Sequence, residues 1–506
     1  MSSPESSTVA GLLAPHPAGR PALQDESGAT TSYGRLRELA DLAGESLRRS
    51  GVGRGDPVAL VLGNGPHMAA AFVAVSSTAA AAPLHPGLRE REFRDSLESL
   101  CAKALIVEAD SDTPAAGEAR ELGIPVLPLE RTGSSGGFRI VPVAAGRPER
   151  AGPARTGDTA LLLHTSGTTA RPKLVPLSQA NLVSSALAIA KTLRLSPGDR
   201  CLNIMPLFHI HGLMGALLAS LAAGATVAAM PGFQPMRFVR WIRELKPTWY
   251  TAVPTMHQAI LRRARRNPKA VADSGLRLVR SSSAALAPSV LASLEQLFAC
   301  PVIESYGMTE ASHQMASNPL PPAIRKPGTV GTAAGPEMAV MAPSGELLPP
   351  GETGEIVIRG PNVTAGYVGN PEANAASFTR GWFRTGDQGL RDGDGYYTIT
   401  GRLKELINRG GEKVSPREVD EVLLEHPAVA QAVAFAAPHD RLGEEVGAAI
   451  VLEDGASLTR RQLRDFVAER LARHKVPRLV LFVDAIPKGP TGKLKRVGLA
   501  GALGIG

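Results

Sequence analysis

Thr165, Ser166, Gly167, Thr168 and Thr169 form a run of small hydroxylated residues and glycine between the apolar stretch 160-ALLLH-164 and the pair Pro172 and Lys173. Such a run exposes backbone N–H groups and hydroxyls with little bulk in the way, which suits it to wrapping phosphate oxygens; the plain alternative is a flexible linker. Its position favours phosphate. ALLLH reads as a strand and 178-SQANLVSSALAIAKTL-193 as a helix, so the run falls where a strand hands over to a helix. It is not a Walker A loop, since GxxxxGK[ST] is absent.

The elements that must hold this run can be read from hydrophobic periodicity. Stretches such as 57-PVALVLGN-64, 104-ALIVEAD-110 and 225-ATVAAMPG-232 are short apolar runs closed by turn residues, with helical patterns such as 35-RLRELADLAGESLRRS-50 between them. This alternation predicts an α/β fold, a large N-terminal domain of helix-covered, mostly parallel sheets. From about 340 the texture changes to short runs punctuated by glycine and proline, as in 351-GETGEIVIRGPNVTAGYVGNP-371, which predicts a small antiparallel β section. Beyond 401-GRLKELINRGGEKVSP-416 come a helix (416–427), strands (429–438 and 447–453) and a second helix (459–473), a small mobile α+β domain. The boundary is placed at 402/403, giving domains of 1–402 and 403–506.

Composition narrows the function classes. A chain of 506 residues is long enough for more than one core. The formal charge of +8 is spread over the chain and mixed with acids, so a polyanionic small ligand explains it as well as nucleic acid would, and no nucleic-acid partner is expected. The densest basic cluster, 262-RRARR-266, reads as a solvated helix face. Cys101, Cys201 and Cys300 are widely spaced, with no CxxC pair and no histidine cluster at metal-ligand spacing. With no signal-peptide pattern at the start, the expected location is the cytoplasm. The long apolar stretch 213–232 is divided by Gly224 and reads as a buried helix running into a buried strand, so no membrane association is expected.

Further along stand 305-SYGMTE-310, 383-FRTGD-387, 401-GRLKELI-407 and 487-PKGPTGK-493. Taken in order with TSGTTxxPK, they resemble the adenylate-forming superfamily of acyl-CoA synthetases, adenylation domains and luciferases, over nearly the whole chain. Within it, LLLHTSGTTxRPK, 306-YGMTEASHQMASNPLPP-322, 355-EIVIRGPNVTAGY-367, 405-ELINRGGEKVSP-416 and 429-VAQAVAFAAP-438 resemble the oxalate–CoA ligase group. The resemblance implies an ATP-dependent ligase that first makes an acyl-adenylate and pyrophosphate, then transfers the acyl group to coenzyme A and releases AMP.

The same resemblance assigns residues. Thr165, Ser166, Gly167, Thr168, Thr169 and Lys173 would hold the β- and γ-phosphates, Thr309 the α-phosphate, and Glu310 a Mg²⁺ ion. Leu174 departs from the glycine that many members carry after the lysine, which bears on loop mobility. Ser283, Glu304, Ser305, Tyr306 and Gly307 would surround the adenine, with Tyr306 stacked on it, while Asp387 and Arg402 reach the ribose. Lys493 would bridge the substrate carboxylate and the α-phosphate, as a flexible point charge can. Lys404 is the hinge on which the small domain turns, and Gly410 and Gly411 would let the pantetheine arm of coenzyme A pass. His209, at the gate position, with Ser281 and Ser282 would take the second carboxylate of a small dicarboxylic acid such as oxalate; His211 reads as a packing histidine. Other readings are a medium-chain, long-chain or aryl acid–CoA ligase, an enzyme loading a carrier protein or forming an amide, and a non-catalytic nucleotide sensor. No carrier segment is read after Lys493, which favours the free-standing ligase.

Overall fold

The structure is a computed structural model and describes residues 7–133, 135–143, 146–165, 173–265, 271, 274–489 and 494–505. Two large sheets carry the first part of the chain. The seven-stranded sheet runs Phe138–Ile140, Val126–Arg131, Ala104–Glu108, Pro57–Val61, Ala80–Pro83, Thr159–Thr165, Lys173–Ser178, parallel within and antiparallel at both edges. The nine-stranded sheet runs Thr332–Ala333, His313–Ser317, Val302–Met308, Leu278–Ser281, Trp249–Ala252, Arg200–Asn203, Thr226–Ala229, Pro21–Gln24, Thr30–Ser32, again with a parallel centre. Trp249–Ala252 and Thr226–Ala229 are buried at every position, because parallel strands covered on both faces have no solvent side.

Helices fill the space between the sheets. Pro66–Ser76 is apolar around its whole circumference and joins Val58, Leu60 and Ile106 of one sheet to Leu23 and Val227 of the other in a single core. Tyr33–Arg49 is amphipathic: Leu36, Leu39, Ala40, Ala43 and Leu47 face that core, and Ser32 caps its start by accepting from the Arg35 N–H. The apolar stretch at 213–232 is a π-helix, His211–Leu218, continued by Ala219–Ala222; Gly224 then breaks the helix and Thr226–Ala229 follows as a strand. Among the described residues no helix is long and apolar enough to cross a membrane. Arg262 and Arg265 are exposed on or just beyond helix Pro254–Ala264, the solvated face the sequence suggests.

A five-stranded antiparallel sheet follows, built on the long strand Trp382–Arg391 and ending at Tyr397–Arg402. The next strand, Ile407–Arg409, pairs with Glu412–Val414 and Gly443–Leu452, and Gly443–Leu452 pairs with Val429–His439 and Leu479–Phe482 to complete a last sheet. Alternate residues of its strands face opposite ways. Ala432 and Ala434 pack with Val419, Leu423, Leu463 and Val467 of helices Pro416–Glu425 and Arg460–Ala468, whereas Val433 and Phe435 pack with Ile486 and Leu499. The second helix is shorter than its sequence pattern: it ends at Ala468, and the chain turns so that Lys475 Nζ reaches Glu418 at 2.7 Å. The whole is an α/β fold with a large first domain and a smaller α+β second one.

Candidate active site

Three sheets converge on one region. Thr165, at the carboxyl end of its strand, pairs in register with Lys173, and its Oγ1 donates to the Lys173 carbonyl at 3.4 Å. Ser166, Gly167, Thr168 and Thr169 lie outside the described residues. The Lys173 ammonium stands 4.4 Å from the ring centroid of Tyr367, whose hydroxyl donates to Glu310 Oε1 at 2.9 Å. Burial raises the Glu310 carboxyl above its ordinary range, opposed by the Tyr367 hydroxyl and by the charges of Arg402 and Lys173. Thr364 ties this corner together: its N–H donates to the Glu310 carbonyl at 2.7 Å and its hydroxyl to the Pro176 carbonyl at 2.7 Å. Thr309 opens the short 3-10 turn that contains Glu310.

Asp387 and Arg402 are register partners in the five-stranded sheet. Asp387, 4 % exposed, accepts from the Tyr306 hydroxyl at 2.5 Å through Oδ2 and from Arg402 Nε at 2.9 Å through Oδ1. Each oxygen keeps further acceptor capacity, enough for the two hydroxyls of a sugar. Burial and the neighbouring Asp387 charge push the Tyr306 hydroxyl well up, so it stays a donor. Glu304 is buried on the same strand as Tyr306. Its Oε1 accepts from the Leu286 N–H at 3.2 Å, and its Oε2 has no hydrogen-bond partner. Burial pushes Glu304 up to about 7, against the pull of Arg417 on helix Pro416–Glu425.

A second cluster lies where the parallel strands Trp249–Ala252, Leu278–Ser281 and Val302–Met308 end. Carboxyl ends of parallel strands are where ligands of open α/β sheets bind. Arg280 is fully buried, beside Thr251 in register. Its Nη1 donates to His313 Nε2 at 2.9 Å and its Nη2 to Gln314 Oε1 at 3.2 Å, while Nε has no hydrogen-bond partner. No carboxylate among the described residues pairs with it, and burial lowers it to about 9. His313 stacks on His211 with centroids 4.9 Å apart; His211 in turn lies 2.6 Å from Thr251 Oγ1 and 3.1 Å from Ser283 Oγ. Ser283, Ser312 and His313 all have φ in the left-handed region, at 75°, 50° and 93°. Such conformations are uncommon for residues other than glycine and gather at ligand sites. Gly215 of the π-helix permits the contact, since a Cβ there would stand 2.5 Å from His313 Nε2 and 3.0 Å from Arg280 Nη1.

The remaining expected residues fall as follows. His209 is half-buried, and its Nδ1 accepts from the His211 N–H at 3.3 Å. The Ser282 hydroxyl donates to the Ser305 carbonyl at 3.1 Å and Ser305 returns the bond to the Ser281 carbonyl at 3.2 Å; Ser281 Oγ is buried with no hydrogen-bond partner. Gly307 follows Tyr306 on the strand Val302–Met308. Lys404 is exposed just past Tyr397–Arg402. Gly410 and Gly411, with φ of 61° and 97°, make the tight turn between Ile407–Arg409 and Glu412–Val414, the geometry of a two-residue hairpin loop. Lys493 lies outside the described residues. Sequence reasoning missed Arg280, His313 and Tyr367. The available signal was Arg280 itself, a lone charge in 278-LVRS-281, a stretch short and apolar enough for a central strand.

The AMP-binding enzyme family model matches residues 13–368, and the model of its C-terminal domain matches residues 418–493. The chain therefore belongs to the AMP-binding enzymes. It is an AMP-forming acid–CoA ligase whose substrates are a carboxylic acid, ATP and coenzyme A. It is 43% identical to an oxalate–CoA ligase of Arabidopsis thaliana, over 97% of this chain and 98% of that one. It is 42% identical to an oxalate–CoA ligase of Saccharomyces cerevisiae (88% and 86%), and 34% identical to a sulfoacetate–CoA ligase of Cupriavidus necator (97% and 97%). Among solved structures, ATP-bound MatB from Rhodopseudomonas palustris superposes with a TM-score of 0.85 at 29% identity, covering 96% of this chain and 97% of that one.

Proposed function

We propose that the acid is a short dicarboxylate, with oxalate as the leading candidate, and that Arg280 with His313 and His211 receives its second carboxylate. Arg280 is the observation that carries this reading. A guanidinium taken wholly out of water is costly unless an anion or a full set of acceptors compensates it. Here two neutral acceptors serve two nitrogens and the Nε has none. A small dianion would supply the missing charge, whereas a fatty or aryl acid would leave it unpaired. His209, Ser281 and Ser282, the expected contacts, border the same cluster. The names of the two oxalate–CoA ligases point the same way.

In the adenylation step the substrate carboxylate attacks the α-phosphorus of ATP, and the bond to the pyrophosphate oxygen breaks. Two anions meet there, so cations and oriented donors are needed where charge builds. Lys173 and the loop Thr165–Thr169 would hold the outer phosphates, Thr309 the α-phosphate, and Lys493 would bridge the reacting oxygens. Asp387 and Arg402 would take the ribose, and Ser283, Glu304, Ser305, Tyr306 and Gly307 would line the adenine. Glu310 fits a Mg²⁺ ion: a single buried carboxylate, one oxygen already bonded by Tyr367, suits an ion that takes its other ligands from water and phosphate. When bound, that ion would neutralise phosphate charge. In the second step the thiol of coenzyme A attacks the acyl carbon and AMP leaves. The small domain, with its boundary at 402/403, would turn about Lys404 between the steps and present Gly410 and Gly411 to the pantetheine arm. A cytoplasmic location agrees with three cysteines that are all free.

AMP release measured with and without coenzyme A over oxalate, malonate, sulfoacetate, acetate, octanoate and benzoate tests the reading. Oxalate or malonate should lead octanoate and benzoate by at least about tenfold in kcat/KM. Octanoate or benzoate leading by that margin would overturn the dicarboxylate and leave the ligase. AMP release that needs an amine or a carrier's pantetheine arm in place of coenzyme A would favour the carrier-loading alternative.

A further inference from the structure

The stretch that follows Lys493 is bound to the small domain in a particular way. Lys488 and Leu494 form a β-bridge, and the Lys495 N–H donates to the Pro487 carbonyl at 2.8 Å, so the residues on either side of 490–493 are the two legs of one stem. Apolar contacts hold one side: Leu494 and Leu499 pack with Val433, Phe435 and Ile486. On the other side is Arg496, three residues past Lys493. Its Nη2 donates to Asp420 Oδ2 at 2.6 Å, its Nη1 to the Ala434 carbonyl, and its Nε lies 3.3 Å from Glu405 Oε2. The three side chains are largely buried, between 15% and 21% exposed. A planar fork with fixed donors holds two carboxylates and a carbonyl in one set geometry, which the rotatable donors of an ammonium on a flexible stem do not.

Glu405 gives the arrangement its meaning. It stands next to Lys404, on the small-domain side of the hinge, and its N–H donates to the carbonyl of Arg402, the residue that holds Asp387. Its charge is also felt at Arg402. Charges therefore alternate from Asp387 and Arg402, which are paired, to Glu405, Arg496 and Asp420, which are joined to one another.

We infer that Arg496 is a positioning residue: by joining Glu405 to Asp420 it makes the hinge segment and the Lys493-bearing stem one rigid body, so that rotation at the hinge delivers Lys493 in register. This rests on the assignment of Lys493 and Lys404 made above. Because Glu405 and Arg496 both lie beyond the hinge, the pair moves with the small domain in either step. Its loss loosens the stem without touching the nucleotide.

The test separates the two half-reactions in full-length protein: ATP–pyrophosphate exchange for adenylation, and thioester formation from pre-made acyl-adenylate. Arg496→Lys keeps the charge and loses the fork. Since changes at Arg496 also disturb buried Asp420, Glu405→Gln is the decisive variant: it leaves the Arg496–Asp420 bond in place. Both should lower the exchange kcat by at least about threefold with KM for ATP unchanged, and leave thioester formation within about twofold. Exchange within threefold of wild type in Glu405→Gln, an equal fall of both half-reactions, or an effect confined to KM for ATP would each overturn the inference. Lys493→Ala run alongside keeps the two ideas apart. If it retains exchange, the bridging role of Lys493 fails whatever Glu405→Gln does; if it alone loses exchange, the stem reading fails and the bridge stands.

Discussion

The proposed nucleotide side and the proposed acid side of the site are built on opposite electrostatic plans. Around the phosphates and ribose, as assigned, charged groups come with partners: Asp387 with Arg402 and Tyr306, Glu310 with Tyr367 beneath Lys173, while Glu304 on the adenine side keeps one oxygen unpartnered. In the pocket proposed for the acid, Arg280 is wholly buried with two neutral acceptors and no carboxylate among the described residues. The first plan suits a ligand that every member of the family shares, because a site already paired binds it without rearranging. The second plan would leave a charge for the substrate to complete and so reject acids of the wrong kind: any acid without a second anion would leave the guanidinium uncompensated.

Removing that charge should break the contrast most sharply. Arg280→Met should cost oxalate or malonate roughly 100- to 1,000-fold in kcat/KM, the scale of a buried charged contact, while acetate loses less than about tenfold. Its melting temperature should fall little, since replacing a buried charge by an apolar side chain of similar length is often neutral or stabilising. Equal losses for oxalate and acetate would make Arg280 a structural residue and end the comparison. Next in size is Lys404→Pro, which fixes one angle of the hinge. Adenylate should accumulate while thioester formation drops by about 100-fold, and normal coenzyme A turnover would refute the hinge.

His209→Ala sharpens the acid side further. His209 is half-buried and bonded to the His211 backbone, so its loss should weaken oxalate by about tenfold, less than loss of Arg280, and acetate hardly at all. A larger effect than Arg280→Met would move the second carboxylate from Arg280 to His209. The smallest effect belongs to the nucleotide side. Glu304 is pushed up to about 7 in the folded protein against an ordinary value of 4.5, so folding favours its protonated form. That contribution is whole below about pH 4.5 and is lost as pH rises through 7. Wild type should therefore lose ground to Glu304→Gln between pH 5 and pH 8, the melting-temperature gap moving by a few degrees in favour of the variant. A gap that stays constant with pH would show that Glu304 ionises without cost.

What could be read from the sequence follows the same division. The alternation of apolar runs and helical patterns carries the α/β fold, because buried parallel strands and covering helices have different periods. The motifs assigned to the nucleotide could be picked out because each is local: SYGMTE puts Tyr306 and Glu310 on one strand and its following turn, and FRTGD puts Asp387 on one strand of the five-stranded sheet. The cluster proposed for the acid is not local. Arg280 and His313 meet because their strands flank Val302–Met308, and His313 reaches Arg280 only with a backbone conformation that no residue type announces. The sequence expectation named Ser281 and Ser282 beside Arg280 and passed over the arginine. The shortened second helix of the small domain has a similar cause. Its amphipathic pattern runs on past Ala468, but the contact of Lys475 with Glu418 takes the chain elsewhere.

The π-helix His211–Leu218 bears on how such a pocket could change hands between acids. A π-turn closes its hydrogen bond one residue later than an α-turn, so the angle at which His211 leaves the helix depends on a count of residues as much as on their identity. Deleting a single position between Gly212 and Leu218 would restore ordinary pitch, and the wide turn that sets His211 against Thr251 would be lost with the side chains on the facing strands unchanged. Relatives that differ by one residue in this helix would then prefer different acids although their pocket residues align, and comparing pocket residues alone would overlook the cause.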